Sequence, residues 1–169
     1  MARSKYIESV LKAAGGRPKS TQWFRDKIKE FGTPSSANLI RDGKRTTTPT
    51  FGLLNMFVYD PKLKDKLPYY DTFPLVLPIE KYSNGFLGIN MHYLSMPIRI
   101  RLLDRLVDYS NNDKFDKSTS LNVDYSRLKK IDLIKPCLKR YLASNVRTKF
   151  RKVEADEFMV ATLLPVQRF

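Results

Sequence analysis

Histidine and cysteine each occur once among the 169 residues, as His92 and Cys137. One thiol cannot close an intramolecular disulfide. One thiol with one imidazole cannot build a cysteine or histidine metal cage, or any site that needs two imidazoles. Acidic residues are scarce, 17 Asp and Glu against 31 Lys and Arg, leaving a formal charge of +14. No apolar run reaches the roughly 18 residues that span a membrane, and no signal peptide or lipidation motif is found. A soluble protein, intracellular when made and without a membrane partner, is expected. The chain also lacks a Gly-x-x-x-x-Gly-Lys-Ser/Thr phosphate loop, a Gly-x-Ser-x-Gly elbow and a Cys/His pairing for covalent catalysis. No cofactor, metal or small-molecule substrate is expected from these patterns. His92, between Met91 and Tyr93 beside an apolar stretch, reads as a satisfied core or turn histidine before a catalytic one.

What is present is a globular composition, 42% apolar and 28% charged, long enough for one domain with a real core. A cationic surplus of this size calls for a polyanionic partner, and a polyphosphate is the natural one. The charge is uneven. Residues 1–50 carry 11 basic and 4 acidic side chains, residues 51–95 carry 4 of each, and residues 96–169 carry 16 against 9. The neutral middle reads as scaffold and the two flanks as contact surfaces. The expected division is a basic helical region and linker over 1–50, then a barrel domain with inserted helices over 51–169.

Tyr6, Ile7, Val10 and Leu11 have helical spacing and stop at Gly15-Gly16. Ser20 reads as an N-cap for a second helix, with Trp23, Phe24, Ile28 and Phe31 at helical spacing and Gly32 as its stop. Arg25, Lys27 and Lys29 lie off the apolar stripe; a solvated face and a phosphate-facing one both fit. Residues 32–50 read as a linker, in which Leu39 and Ile40 add at most a helical turn. Arg41, Lys44 and Arg45 surround a glycine turn with threonines beyond, the residue types that hold backbone phosphates without reading bases. A flexible basic linker accounts for them equally well.

Short β-type runs follow at Leu54, Met56, Val58 and at Leu75 to Ile79, broken by Asp60-Pro61, Leu67-Pro68, Phe73-Pro74 and Asn84-Gly85. The dense aromatics here, interleaved with Lys62, Lys64 and Lys66, suit a base-stacking platform, although filling a small barrel is the weightier reading. Pro97 opens a helix with Ile98, Leu102, Leu106 and Tyr109 inside, supported by Leu103 and Val107, and Arg99, Arg101 and Arg105 on its polar side. Pro136 opens another, with Cys137, Leu138, Tyr141 and Leu142 inside and Lys135, Lys139 and Arg140 outside. The spacing then predicts a strand over 147–153, a turn at 154–157 and an apolar strand over 159–164. Arg147, Lys149 and Arg151 alternate along the first strand, three cations on one face that repel unless a polyanion lies across them.

A nuclease needs an acidic pair with an Asp/Glu-x-Lys pattern to hold Mg²⁺ and steady the nucleophile. Asp42-Gly43-Lys44 and Asp60-Pro61-Lys62 match that pattern, and turn chemistry explains both without catalysis. The chain reads as non-enzymatic.

The stretch from Phe57-Val58-Tyr59-Asp60-Pro61 to Thr72-Phe73-Pro74-Leu75-Val76, with Gly85-Phe86-Leu87-Gly88-Ile89-Asn90-Met91-His92-Tyr93-Leu94, resembles a family of virion proteins from T-even-type myoviruses and their marine relatives. Lys135-Pro136-Cys137-Leu138-Lys139-Arg140-Tyr141-Leu142, Arg147 to Phe150, and Leu163-Leu164-Pro165-Val166-Gln167-Arg168-Phe169 resemble it too; the Trp23-Phe24 segment is similar but weaker. The resemblance implies a phage structural protein that shields the ends of the packaged genome during head completion, or a baseplate, tail or neck component. It places the protein in the host cytoplasm during assembly and then in the virion. Members of that family run longer at the C-terminus, so a function carried there is not expected of this chain.

The expected fold is α+β: a small antiparallel β-barrel of SH3-like size, built from 51–95 and 147–164, with helices on both sides. The first candidates for polyanion contact are Arg41, Lys44, Arg45, Arg147, Lys149 and Arg151, and the second are Lys62, Lys64, Arg99 and Arg101. Double-stranded DNA is the expected ligand, with other phage virion proteins as partners. In the alternative reading, acidic faces of neighbouring subunits meet the cations.

Overall fold

Capping chemistry sets the helical start of the chain. The computed structural model describes residues 5–15, 19–32, 34–66, 71–112, 118–123, 125–128, 132 and 134–164. Helix α1 spans Lys5–Ala14. Helix α2 spans Thr21–Phe31 and is capped by the Ser20 hydroxyl, which accepts from Trp23 N at 3.1 Å. Gly32 then ends it at φ 77°, a left-handed conformation that costs glycine no Cβ strain. The segment expected as a linker contains helix α3, Ser36–Asp42, capped by Ser35, and the two-residue strand β1, Arg45–Thr46.

Strands β2 (Leu54–Met56), β3 (Leu75–Tyr82) and β4 (Gly85–Asn90) follow, then helix α4 (Met96–Leu106) and the single helical turn α5 (Tyr125–Leu128). Strands β5 (Leu138–Leu142) and β6 (Phe150–Val153) precede the last helix, α6 (Phe158–Leu163). The six strands form one antiparallel sheet in the order β1-β6-β2-β3-β4-β5. Pro78 lies at a register shift in β3, a place where its missing N–H is tolerated.

Two expected elements change type. Residues 138–142 form a strand: after a 3₁₀ turn at Lys135–Cys137 the chain extends, and Tyr141 lies under Phe86 with ring centroids 5.3 Å apart. The 159–164 run is helical, because Glu154 and Glu157 form a capping box and Glu157 Oε2 accepts from Glu154 N at 2.7 Å. Periodicity cannot separate strand from buried helix in so short and apolar a run. Without that strand the expected barrel does not form: the sheet is open, with β1 and β5 as its edges.

The sheet nevertheless curls. In a flat sheet β2 and β5 stand roughly 14 Å apart, three spacings of about 4.8 Å, yet the rings of Phe57 and Tyr141 are 5.4 Å apart. Leu142 N also donates to the Tyr59 hydroxyl at 3.1 Å. Alternation sends Leu54, Met56, Leu75, Leu77, Ile89 and Val153 into a core shared with all six helices, including Ile7 and Val10 of α1 and Ile28 of α2. The other face gathers Phe57, Tyr59, Val76, Phe86, Tyr141 and Phe150 into a second, aromatic core. Most of the described aromatics of residues 51–95 are thus packing residues. His92 is buried in a polar network: its Nδ1 lies 2.8 Å from Asp71 Oδ2, and Asn90 Nδ2 donates to that oxygen and to the Tyr141 hydroxyl, both at 3.0 Å.

Candidate nucleic-acid interface

The two cationic flanks meet at one sheet edge. Arg41 stands in the last turn of α3, the turn after it carries Lys44 and Arg45 into β1, and β1 pairs with β6 so that Arg45 stands opposite Arg151 and Thr46 opposite Phe150. Lys152 N donates to Lys44 O at 2.9 Å, extending the pairing back into the turn. Lys149 is the residue before β6. Residues from opposite ends of the chain are therefore gathered on a short edge. Arg45 and Lys149 are exposed and Lys44 half-buried; none of the three forms an ion pair with the described residues. Arg41 is exposed, donating to Asn38 Oδ1 at 2.7 Å and lying 3.5 Å from Asp42.

The expected stripe of Arg147, Lys149 and Arg151 does not exist as drawn. The strand begins only at Phe150, and Arg151 shares its face with Val153, which is in the helix-side core. Arg151 is 1% exposed and donates to Glu157 Oε1 at 3.3 Å, while its Nε and Nη1 have no hydrogen-bond partner among the described residues. Burial pulls the guanidinium below its ordinary value, against the opposing pull of the Glu157 carboxylate. A Cβ at Gly43 would collide with Arg151 Nε, so the basic turn closes over this arginine because residue 43 has no side chain. Arg147 is exposed but shares Asp60 with Lys64, at 3.1 and 2.9 Å. Hydrogen bonds from Lys64 and Arg147 hold the Asp60 carboxyl below its usual range.

Among the second-tier residues, Arg99 is a buried brace and not a surface cation. It lies three, four and seven positions before Leu102, Leu103 and Leu106, on the buried stripe of α4. Its Nε donates to Leu94 O at 2.9 Å and its Nη1 to Thr162 O and Leu164 O at 3.2 and 3.4 Å. Carbonyls at the end of α6 that have no intrahelical partner are met this way. Arg101, on the same helix, is exposed. Lys62 is exposed beside a 230 Å³ hollow that Lys139 and Arg140 also line. The helical reading of 136–142 also placed these last two outside, without naming them as candidates. On the strand they sit over rings, Lys139 Nζ 4.2 Å from the Tyr93 centroid and the Arg140 guanidinium 4.1 Å from that of Tyr82.

A sequence model of the phage T4 terminal DNA protecting protein family matches residues 3–169. The chain belongs to that family. No curated protein and no solved structure matches it. In this member of the terminal DNA protecting family, the carboxylates of both Asp-x-Lys turns face cations: Asp60 holds Lys64 and Arg147, and Asp42 lies beside Arg41. Among the described residues no group of three or more His, Cys, Asp or Glu side chains is placed to hold a metal ion, and no helix is long and apolar enough to cross a membrane. Burial pushes the Cys137 thiol up to about 11, so it is protonated at neutral pH.

Proposed function

We propose that this protein is a non-enzymatic virion component that binds the ends of packaged double-stranded DNA and protects them during head completion. The observation that carries the reading is the β1–β6 edge, where Lys44, Arg45 and Lys149 stand together without an acidic partner among the described residues, in a member of a terminal DNA protecting family. Its cations lie on a turn and a strand edge and suit phosphates without base readout. The non-enzymatic part of the reading draws on Asp42 and Asp60, whose ion pairs account for them without catalysis.

The test compares binding to linear blunt duplex and to closed circles of the same sequence at two salt concentrations. An end protector binds the linear form more tightly, with a steep salt slope and little sequence preference. Equal, weak binding to both forms sinks the proposal and favours an architectural part whose cations meet acidic neighbouring subunits.

A further inference from the structure

The inner face of the curled sheet is not sealed at its end. Between the segment after β1, the tip of the β3–β4 hairpin and the turn before β6 lies a cleft of about 560 Å³, within the roughly 300–1,000 Å³ of small-ligand sites. Phe86 and Phe150 of the aromatic core border it on the inside and Phe51 lines it further out, while the ring of Tyr82, at the hairpin tip, lies on the other face of the hairpin under Arg140. Phe51 is 40% exposed, one of the few large apolar side chains facing solvent. Thr47, Thr48 and Ser83 also line the cleft, and Lys81 is the one charged lining residue among those described. Arg147 and Lys149 flank the lining residue Thr148 in the chain.

We propose that this cleft receives a single unpaired nucleotide at a DNA terminus, its base against the ring of Phe51 and its phosphate near Lys81. The inference rests on the end-binding reading and deepens it. Charge complementarity selects the occupant: phenylalanine rings, threonine and serine residues and one cation, with no lining carboxylate among the described residues, suit a flat aromatic group tied to an anion, and every base offers a π-face whatever its identity. An end supplies such a nucleotide cheaply. A terminal base has one stacking neighbour, whereas an interior base must leave two and rotate out of the duplex. Preference for ends over interior duplex then follows without any sequence being read.

The experiment uses the whole chain and two DNAs of equal length: a dumbbell closed by hairpin loops, and an open duplex with a single unpaired 2-aminopurine at each end. The expected result is tighter binding of the open duplex, with a change in 2-aminopurine fluorescence as its ring stacks. Phe51→Ala weakens that binding roughly 5- to 100-fold and abolishes the fluorescence change. Phe51→Trp preserves both, and Lys81→Ala weakens binding without removing the stacking signal. Phe51 is partly exposed, and circular dichroism checks that its variants fold. If Phe51→Ala binds open ends as wild type does, with the same fluorescence change, the cleft is not the site and a protein occupant replaces the nucleotide. In that event a surviving preference for linear over circular duplex leaves end binding intact; loss of that preference too brings down the functional reading itself.

Discussion

Replacing Lys44, Arg45 and Lys149 together with alanine removes three solvent-reaching cations from the β1–β6 edge without touching a buried group. Each phosphate neutralised by a cation steepens the fall of log affinity with log salt by about 0.9 for duplex DNA, so three lost contacts flatten the slope by roughly 2.7. Between about 50 mM and about 200 mM salt, the triple variant then loses roughly 40-fold less affinity than wild type. Arg151 is the discriminating control. Arg151→Met leaves the Glu157 carboxylate, 2% exposed, without its cation, which costs about 3–5 kcal/mol for a broken buried pair. Adding Glu157→Gln keeps an acceptor for the capping hydrogen bond from Glu154 N and removes the stranded charge, so the double variant regains most of that loss. Fluorescence anisotropy of a labelled linear duplex across a salt series reads the slopes, and urea unfolding reads the stabilities. An unchanged slope in the triple variant, or a flattened slope in Arg151→Met with undiminished stability, refutes the assignment of edge cations to DNA and of Arg151 to the fold.

Gly43→Ala places a Cβ against the Arg151 guanidinium and is expected to cost about 1–3 kcal/mol; urea midpoints check this. Asn90→Leu removes the amide linking Asp71 to Tyr141 and is expected to cost on the order of 1–3 kcal/mol, since buried partners are left unmatched. A stability within error of wild type contradicts the network's role. Cys137 has a folded pKa raised from 9.0 to about 11. The unfolded thiol therefore ionises first, and its contribution to stability is full below pH 9 and lost as pH rises toward 11. Cys137→Val is expected to flatten that decline, by up to about 1.4 kcal/mol per pH unit, in urea melts at pH 8, 9.5 and 10.5. Native protein should also resist thiol alkylation at pH 7 until urea unfolds it.

Helix boundaries set by capping were legible, as Ser20 and Gly32 around α2 illustrate, because caps are local chemistry. The pairing of 44–46 with 150–152 was not; ladders between distant segments leave no mark in either one. The inward turn of Arg151 had a faint signal, since Val153 two positions on is apolar and shares its face. Arg99 had a clearer one in its spacing to Leu102, Leu103 and Leu106, outweighed by the habit of placing arginine in water. Residues 138–142 and 159–164 failed for a different reason: runs of five or six residues satisfy either period, and only tertiary packing decides. The Phe51 cleft involves three separate loops and had no counterpart in any single motif.

An open sheet leaves two rows of unspent backbone donors and acceptors, which invite strands from other copies. Here one border is a two-residue strand bearing Arg45 and the other carries Lys139 and Arg140, so a second copy adding its own edge to either border brings like charges together. Charge is therefore expected to oppose edge-to-edge pairing of copies, and high ionic strength or bound polyphosphate to lower that barrier.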